Sequence, residues 1–205
     1  MLVSTDAGIT FSALFSFGQS VANPSHIVAG ADGSTLYAVC DTSVFRSTDR
    51  GTSWQQRTGL PDSFSLDVDR AAIDPSDAST LYIVGNDQLM VTHDGAGTWA
   101  DVSPSSGNVL HVAVNPSDSN QLWAATRSGL DYSNNRGASW SRTRSGYTTT
   151  VALDPRTPST VYAAESWGNV LMRSGGTWSD ITNNLGSFSP RAIAVSPHDG
   201  ACSSS

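Results

Sequence analysis

The chain has 205 residues, 38% of them hydrophobic and only 14% charged, a balance typical of a folded domain with one sizeable core. Its 11 basic residues are all arginine and are outnumbered by 18 acidic residues, so the net charge is -7 at pH 7. An acidic, lysine-free chain is a poor partner for nucleic acid or an anionic membrane, and no stretch approaches the roughly 18 consecutive apolar residues of a membrane span.

The amino-terminal segment MLVSTDAGITF lacks a charged region followed by an apolar one, so no signal peptide is visible. Cys40 lies in an apolar run and Cys202 in a polar tail; a disulfide between them and two unpaired thiols both stay open. The four histidines are too scattered for the spacing of a metal site. The sequence therefore predicts no metal and no cofactor.

A short motif recurs along the chain, as STDAGITF (4–11), STDRGTSW (47–54), THDGAGTW (92–99), SNNRGASW (133–140) and a shortened RSGGTW (173–178). Its closing aromatic residues are separated by 43, 45, 41 and 38 residues. A second aromatic marker, in TLYAV, TLYIV, QLWAA and TVYAA, repeats at steps of 45, 41 and 39. A period near 40 is typical of the four-stranded blades of a β-propeller.

Each repeat contains four short strands. In the second, RAAID, TLYIVG, QLMVTH and TWADV are partly β-branched or aromatic and are bounded by turn residues, the first turn being PSDAS. An all-β propeller of four-stranded antiparallel blades is therefore predicted, with repeats at about 21–63, 64–106, 107–146 and 147–186. Small residues occupy one equivalent position near the end of each first strand, as expected close to a crowded axis: Ala72, Ala113, Ala152 and Ala194.

Two partial segments, 1–20 and 187–205, leave two arrangements open. They combine into a composite fifth blade that closes a single domain over 1–205, or the chain is a fragment of a larger propeller. The second segment has no counterpart of TLYIV, so a composite blade would miss its second strand. An open array would leave two sheet edges unpaired, which favours self-association.

The recurring motif, which we call the box turn, is predicted to be structural. Its glycine permits a positive φ, and its closing aromatic residue packs against a neighbouring blade. Four side chains are placed to accept hydrogen bonds from turn amides: Asp6, Asp49, Asp94 and Asn135.

The motif S-x-D-x-G-x-x-[WF] at this period resembles the Asp-box (BNR) repeat of sialidases, xyloglucanase-type glycosidases, sortilin-like receptors and a photosystem assembly factor. LVSTDAGITF, and DP before TVYAA, are most similar to the xyloglucanase type. The resemblance implies that the box turns join third to fourth strands on the face opposite the active site. It also implies an extracellular or cell-surface location, which the Ser-, Thr- and Gly-rich composition favours.

In such a propeller, ligands bind the loops that lead into each first strand and join the second strand to the third. This rule selects the candidate ligand-binding residues Arg70, His111, Arg127, Tyr147, Thr150, Trp167 and Arg191. Arg70, His111 and Thr150 occupy equivalent positions and are expected to point toward the axis together. Asp87 falls in the same set of loops.

Glycoside hydrolysis normally needs two carboxylates that flank the scissile bond. The weak candidates are Asp41, Asp67, Asp69 and Glu165, each of which is equally explained as a solvated loop charge. A sialidase-like inventory of arginines with Tyr147 and Glu165 is present, but the arginines lie outside the sequence settings of that family. Chance explains that set better.

The sequence favours a recognition module that binds a glycan or a protein through this face. Trp167 lies among polar residues in ESWGNV, so its ring is either exposed for stacking or packed on a neighbouring blade. A glycoside hydrolase domain or fragment, xyloglucanase-like or sialidase-like, and a non-catalytic assembly scaffold are the alternatives. If the chain is an enzyme, it is predicted to be a glycoside hydrolase.

Overall fold

The computed structural model describes residues 2–4, 9–10, 12–13, 24, 26–40, 43–61, 64, 66–183, 185 and 190–196. Asp6, Asp41 and Cys202, together with the side chains of Asp67 and Asp69, lie outside the described residues. The regular structure of the described part consists of β-strands, without an α-helix. It accordingly holds no helix long and apolar enough to cross a membrane.

Most strands form antiparallel four-stranded sheets in which neighbours along the chain are neighbours in the sheet. A two-stranded pair precedes them, formed by β1 (Leu2–Val3) and β2 (Ser12–Ala13). The first sheet contains β3 (His26–Ala29), β4 (Leu36–Cys40), β5 (Ser43–Ser47) and β6 (Gln55–Arg57). The second contains β7 (Leu66–Asp74), β8 (Asp77–Gly85), β9 (Gln88–Thr92) and β10 (Ala100–Asp101).

Two further sheets repeat the pattern. The third contains β11 (Val109–Val114), β12 (Leu122–Thr126), β13 (Gly129–Ser133) and β14 (Ser141–Ser145). The fourth contains β15 (Thr148–Leu153), β16 (Val161–Glu165), β17 (Val170–Ser174) and β18 (Thr177–Asp180). The predicted all-β class and its four-stranded antiparallel blades are confirmed.

The chain divides into two compact units, Met1–Asn86 with Met90–Ala100, and Asp87–Leu89 with Asp101–Ser205. The core of the first unit is formed by alternate residues of neighbouring strands, Tyr37, Val39, Val44, Leu81 and Ile83. Alternation matters because successive side chains of a strand point to opposite faces of its sheet. The grouping of the whole chain into one domain stays a prediction.

The core of the second unit is built in the same way. Trp123 of the third sheet lies edge-on to Trp178 of the fourth, with ring centroids 6.4 Å apart. Val151 and Ala163 pack into the same cluster, and both are almost completely buried. The aromatic residue that closes the shortened box turn, Trp178, therefore lies in the core between two sheets.

The structure differs from the strand reading at two places. β8 begins at Asp77 rather than after PSDAS, because Asp74 accepts hydrogen bonds from the amides of Ser76 and Asp77 and closes a tighter turn. Ala194 lies exposed in residues 190–196, which form no strand, whereas its three counterparts lie in β7, β11 and β15. No second strand follows residue 190 for this segment to pair with, since the sequence offers no counterpart of TLYIV there.

The box turn between β5 and β6 is built from side-chain hydrogen bonds. Asp49 accepts from the amide of Ser53 at 2.8 Å, from the Ser53 hydroxyl at 2.6 Å and from the Ser47 hydroxyl at 2.8 Å. Asn135 takes the same place in the third sheet, accepting from the Ser139 amide at 2.9 Å and donating to the Ser139 hydroxyl at 2.8 Å. An amide can therefore replace the carboxylate in this turn.

The turn between β9 and β10 keeps this arrangement with a shifted glycine. Asp94 accepts from the amides of Gly97 and Thr98. Ala96 occupies the position held by Gly51 and has a φ of 69°. The hydrogen bonds to Asp94 thus hold a left-handed conformation that an alanine rarely adopts.

We expect these turns to lose stability in acid. Hydrogen bonds from Ser53 lower the pKa of Asp49 to about 2, and those from Thr98, Thr92 and Gly97 hold the pKa of Asp94 well below its usual range. The unfolded aspartates have a pKa of about 3.9, so the unfolded chain binds more protons at pH 3. The free energy of unfolding therefore falls as the pH drops below about 4.

The variants Asp49→Asn and Asp94→Asn should reduce this loss, since Asn135 shows that the turn accepts an amide. The measurement is the melting temperature at pH 7 and pH 3, with Asp101→Asn as the control at an exposed aspartate outside the box turns. A pH dependence that both box-turn variants leave at the wild-type value would contradict the prediction.

Candidate functional site

The turns between second and third strands lie at one end of each sheet, together with the links into the first strands, because neighbouring strands are antiparallel. The box turns lie at the opposite end. In the second unit the first of these ends, here called the loop end, is formed by Asp87, Arg127–Ser128, Gly146–Tyr147 and Ser166–Asn169.

Backbone hydrogen bonds tie these segments to one another. The amide of Val109 donates to Asp87 O at 2.8 Å, and that of Arg127 donates to Asn108 O at 3.1 Å. The amide of Ser166 donates to Tyr147 O at 2.9 Å. The loop end is therefore a hydrogen-bonded surface rather than a set of independent loops.

Trp167 is the most exposed large hydrophobic residue of the described chain, with 85% of its surface accessible. It lies at the tip of the β16–β17 hairpin, where the Gly168 amide donates to Glu165 O at 3.0 Å and the Glu165 amide donates to Asn169 O at 2.9 Å. Tyr147, bonded to the preceding residue, is 38% exposed. A tight hairpin thus holds an indole ring in solvent beside a half-exposed phenol.

Glu165 lies under this hairpin and is buried. Its Oε1 accepts from Arg144 Nε at 2.9 Å, and its Oε2 accepts from Asn169 Nδ2 at 2.9 Å. Both oxygens are engaged, so Glu165 braces the hairpin and is not available as a free acid, base or nucleophile. Sequence reasoning missed Arg144, and no local motif marks it as the partner of a residue 21 positions away.

Asp87 and Arg127 form an ion pair at the loop end, with Arg127 Nη2 3.3 Å from Asp87 Oδ1. The side chains are 36% and 53% exposed. An exposed pair of this kind contributes little to stability, typically about 0–1 kcal/mol. Both charges therefore stay accessible to a ligand.

The remaining predicted ligand residues lie in different surroundings. His111 is half-buried in β11, opposite Ala125, and Thr150 is buried in β15, opposite Ala164. Arg191 is exposed just after Pro190, whose carbonyl accepts from Thr149 Oγ1 at 2.9 Å. Arg70 is half-buried in β7 of the first unit. Burial removes Thr150 from the accessible surface, while Arg191 is accessible.

The predicted carboxylates are not brought together in the described structure. Asp67 and Asp69 lie on β7 in the first unit, and Glu165 lies in the second. At the loop end of the second unit, both acidic residues that the structure describes, Asp87 and Glu165, are paired with arginine. Among the described residues, no cluster of three His, Cys, Asp or Glu side chains is placed to hold a metal ion.

No protein-family model and no curated protein matches the sequence. The structure is similar to a GH74 enzyme from Niastella koreensis, with a TM-score of 0.69 and 18% identity over 82% of this chain and 31% of that one. It is also similar to a GH74 xyloglucanase from Xanthomonas campestris, with a TM-score of 0.65 and 19% identity over 78% of this chain and 30% of that one.

A third similar structure is YCF48 bound to D1 peptide, with a TM-score of 0.55 and 15% identity over 78% of this chain and 56% of that one. These proteins are β-propellers, so the sheets described above are propeller blades, and the predicted propeller fold related to that of xyloglucanase-type glycosidases is confirmed. The chain spans less than a third of the length of the two GH74 enzymes.

Proposed function

We propose that the chain is a recognition module that binds an extracellular glycan through the loop end of its second unit. The exposure of Trp167 carries this proposal, because an indole held in solvent by a braced hairpin is otherwise an unfavourable use of a large apolar side chain. A flat aromatic face next to polar groups suits the alternating apolar and hydroxyl surfaces of a sugar.

The surroundings of Trp167 support a binding role. The Glu165–Arg144–Asn169 bonds restrict the hairpin before a ligand arrives, which lowers the entropy lost on binding. Tyr147 adds a second aromatic surface, and the Asp87–Arg127 pair adds exposed charges that can donate and accept hydrogen bonds. The fold similarity to a xyloglucanase makes β-glucans the first glycans to test.

We expect Trp167→Ala to weaken glycan binding at least about tenfold, because central aromatic contacts commonly contribute about 2 kcal/mol or more. The measurement is calorimetric titration of the chain with xyloglucan oligosaccharides and with sialosides. The melting temperature should stay close to that of the wild type, since the ring is 85% exposed.

Trp167→Phe is the conservative variant and should retain part of the affinity. Ile27→Ala is the matched control, because Ile27 is an exposed large apolar side chain, 44% accessible, on β3 of the first unit. Equal affinities of wild type and Trp167→Ala would sink the proposal.

A protein ligand is the second candidate, and the similarity to a YCF48 structure with bound peptide favours it. Self-association of an open ring and a role as an assembly scaffold belong to the same class. The distinguishing result is binding to arrayed peptides without binding to any glycan. Trp167→Ala then identifies whether the loop end is the surface used.

Glycoside hydrolysis is the remaining candidate, favoured by the fold similarity to GH74 enzymes. Its carboxylates would have to come from Asp41, Asp67 and Asp69, because Glu165 is engaged by Arg144 and Asn169. Reducing-end detection in the same titration separates the two readings. Release of product that Asp67→Asn or Asp69→Asn abolishes would make the chain an enzyme.

A further inference from the structure

The second unit has a cavity of about 230 Å³ at the end opposite the loop end. It lies between the third and fourth sheets, near the start of β12 and β16 and the end of β13 and β17. Its lining includes Trp123, Tyr132, Ser159, Val161 and Arg173. The cavity therefore combines aromatic walls with a single cationic side chain.

Arg173 is held in place by the aromatic wall. Its guanidinium carbon lies 5.6 Å from the centroid of the Trp123 ring, a cation–π distance. Trp123 in turn packs against Tyr132, with centroids 4.8 Å apart, and against Trp178. These contacts restrict the position of the guanidinium without using its hydrogen-bond donors.

The donors of Arg173 are unused in the described structure. Arg127, Arg142 and Arg144 of the same unit each pair with a carboxylate, whereas no described acidic residue pairs with Arg173. Guanidinium groups present a planar fork that matches a carboxylate. In a chain with net charge -7, an arginine that faces a cavity without an acidic partner among the described residues is unusual.

The other polar groups of the cavity divide into engaged and free. Gln121 is engaged, because its amide bonds to Asn115 and Asp118, and Thr143 donates to Leu130 O. Tyr132 and Ser159 also line the cavity, and neither hydroxyl has a hydrogen-bond partner among the described residues. They can bind the polar atoms of a ligand whose acid group lies on Arg173.

We infer that this cavity binds a small monocarboxylate carried on a single ring, with the acid group on Arg173 and the ring against Trp123 and Tyr132. The size agrees, since pockets for drug-sized ligands measure about 300–1,000 Å³ and this one is smaller. The site is independent of the proposed glycan site, because Trp167 lies at the opposite end of the sheets.

The test is titration of the chain with benzoate and with glucuronate, each compared with its uncharged counterpart, benzamide or glucose. Each acid should bind at least about tenfold more tightly than its neutral counterpart, and added salt should weaken the binding. The tighter of the two acids identifies a planar aromatic acid or a sugar acid as the source of the carboxylate. Ligand binding is followed by calorimetry and by tryptophan fluorescence.

The variants separate the role of the guanidinium from a general effect on folding. Arg173→Gln should lose about tenfold in affinity or more, and Arg173→Lys, which keeps the charge without the fork, should lose less. Trp167→Ala should leave this binding unchanged. The inference is overturned if both acids bind no better than benzamide and glucose, or if Arg173→Gln and Arg173→Lys both bind them as tightly as the wild type.

Discussion

Replacement of Gly129 by alanine is expected to lower the free energy of unfolding by about 3 kcal/mol, the upper part of the usual range for overpacking. A Cβ atom at this position would lie 2.1 Å from the carbonyl oxygen of Arg144 on the neighbouring strand. The φ of Gly129 is 154°. A backbone oxygen cannot turn aside as a long side chain can, so the two strands would have to separate.

Local hydrogen bonds prevent Gly129 from moving away. Its amide donates to Thr126 Oγ1 at 3.0 Å, and its carbonyl accepts from the same hydroxyl at 2.9 Å. Gly107→Ala is the matched control, because Gly107 has a positive φ of 56° but no atom within 4 Å of an added Cβ. That variant should cost only about 1 kcal/mol, from the left-handed backbone alone.

Chemical denaturation of both variants checks this prediction. A larger loss in Gly129→Ala than in Gly107→Ala means that strand overlap dominates. Equal losses in the two variants would contradict it, since the backbone conformation would then account for the whole effect.

Removal of the buried carboxylate in Glu165→Ala is expected to cost about 3 kcal/mol, the lower end for breaking a buried ion pair. The variant leaves Arg144 Nε and Asn169 Nδ2 without their acceptors. We place the value at the lower end because the Arg144 side chain is 32% exposed and water can solvate it. Glu165→Gln keeps an acceptor oxygen and should cost less.

A double-mutant cycle with Arg144→Met isolates the pair. The double variant should be more stable than the sum of the single losses predicts, with a coupling of about 1–3 kcal/mol. Under the proposed function, Glu165→Ala should also weaken glycan binding, because Trp167 loses the brace of its hairpin. Additive losses in the cycle would show that the pair contributes nothing of its own.

Much of the fold follows from local patterns. The aromatic residues recur at a period near 40, and the strands between them alternate apolar and polar residues, so the four-stranded sheets are predictable without coordinates. The box turn is equally local, because Asp49 bonds only to residues within four positions of itself. The exact length of β8 was less predictable, since one extra bond at Asp74 decides it.

The candidate site was predictable in part. The polar loop around Trp167 indicated two outcomes for the ring, and the hairpin geometry selects exposure. Thr150 was expected to face a ligand, yet it is buried opposite Ala164. A position in a repeat predicts which end of a sheet a residue occupies, but its depth below the surface depends on the packing of neighbouring strands.

The sequence by itself determined the repeat, the β class, the order of strands and the box turns, because each rests on hydrogen bonds and alternation over a few residues. Only the tertiary structure decided that Glu165 pairs with Arg144 and that Arg173 lies over Trp123 beside a cavity. These partners are 21 and 50 positions apart along the chain. Side chains so distant meet only when the strands pair and the sheets pack, so no local pattern records which charge is engaged and which stays free.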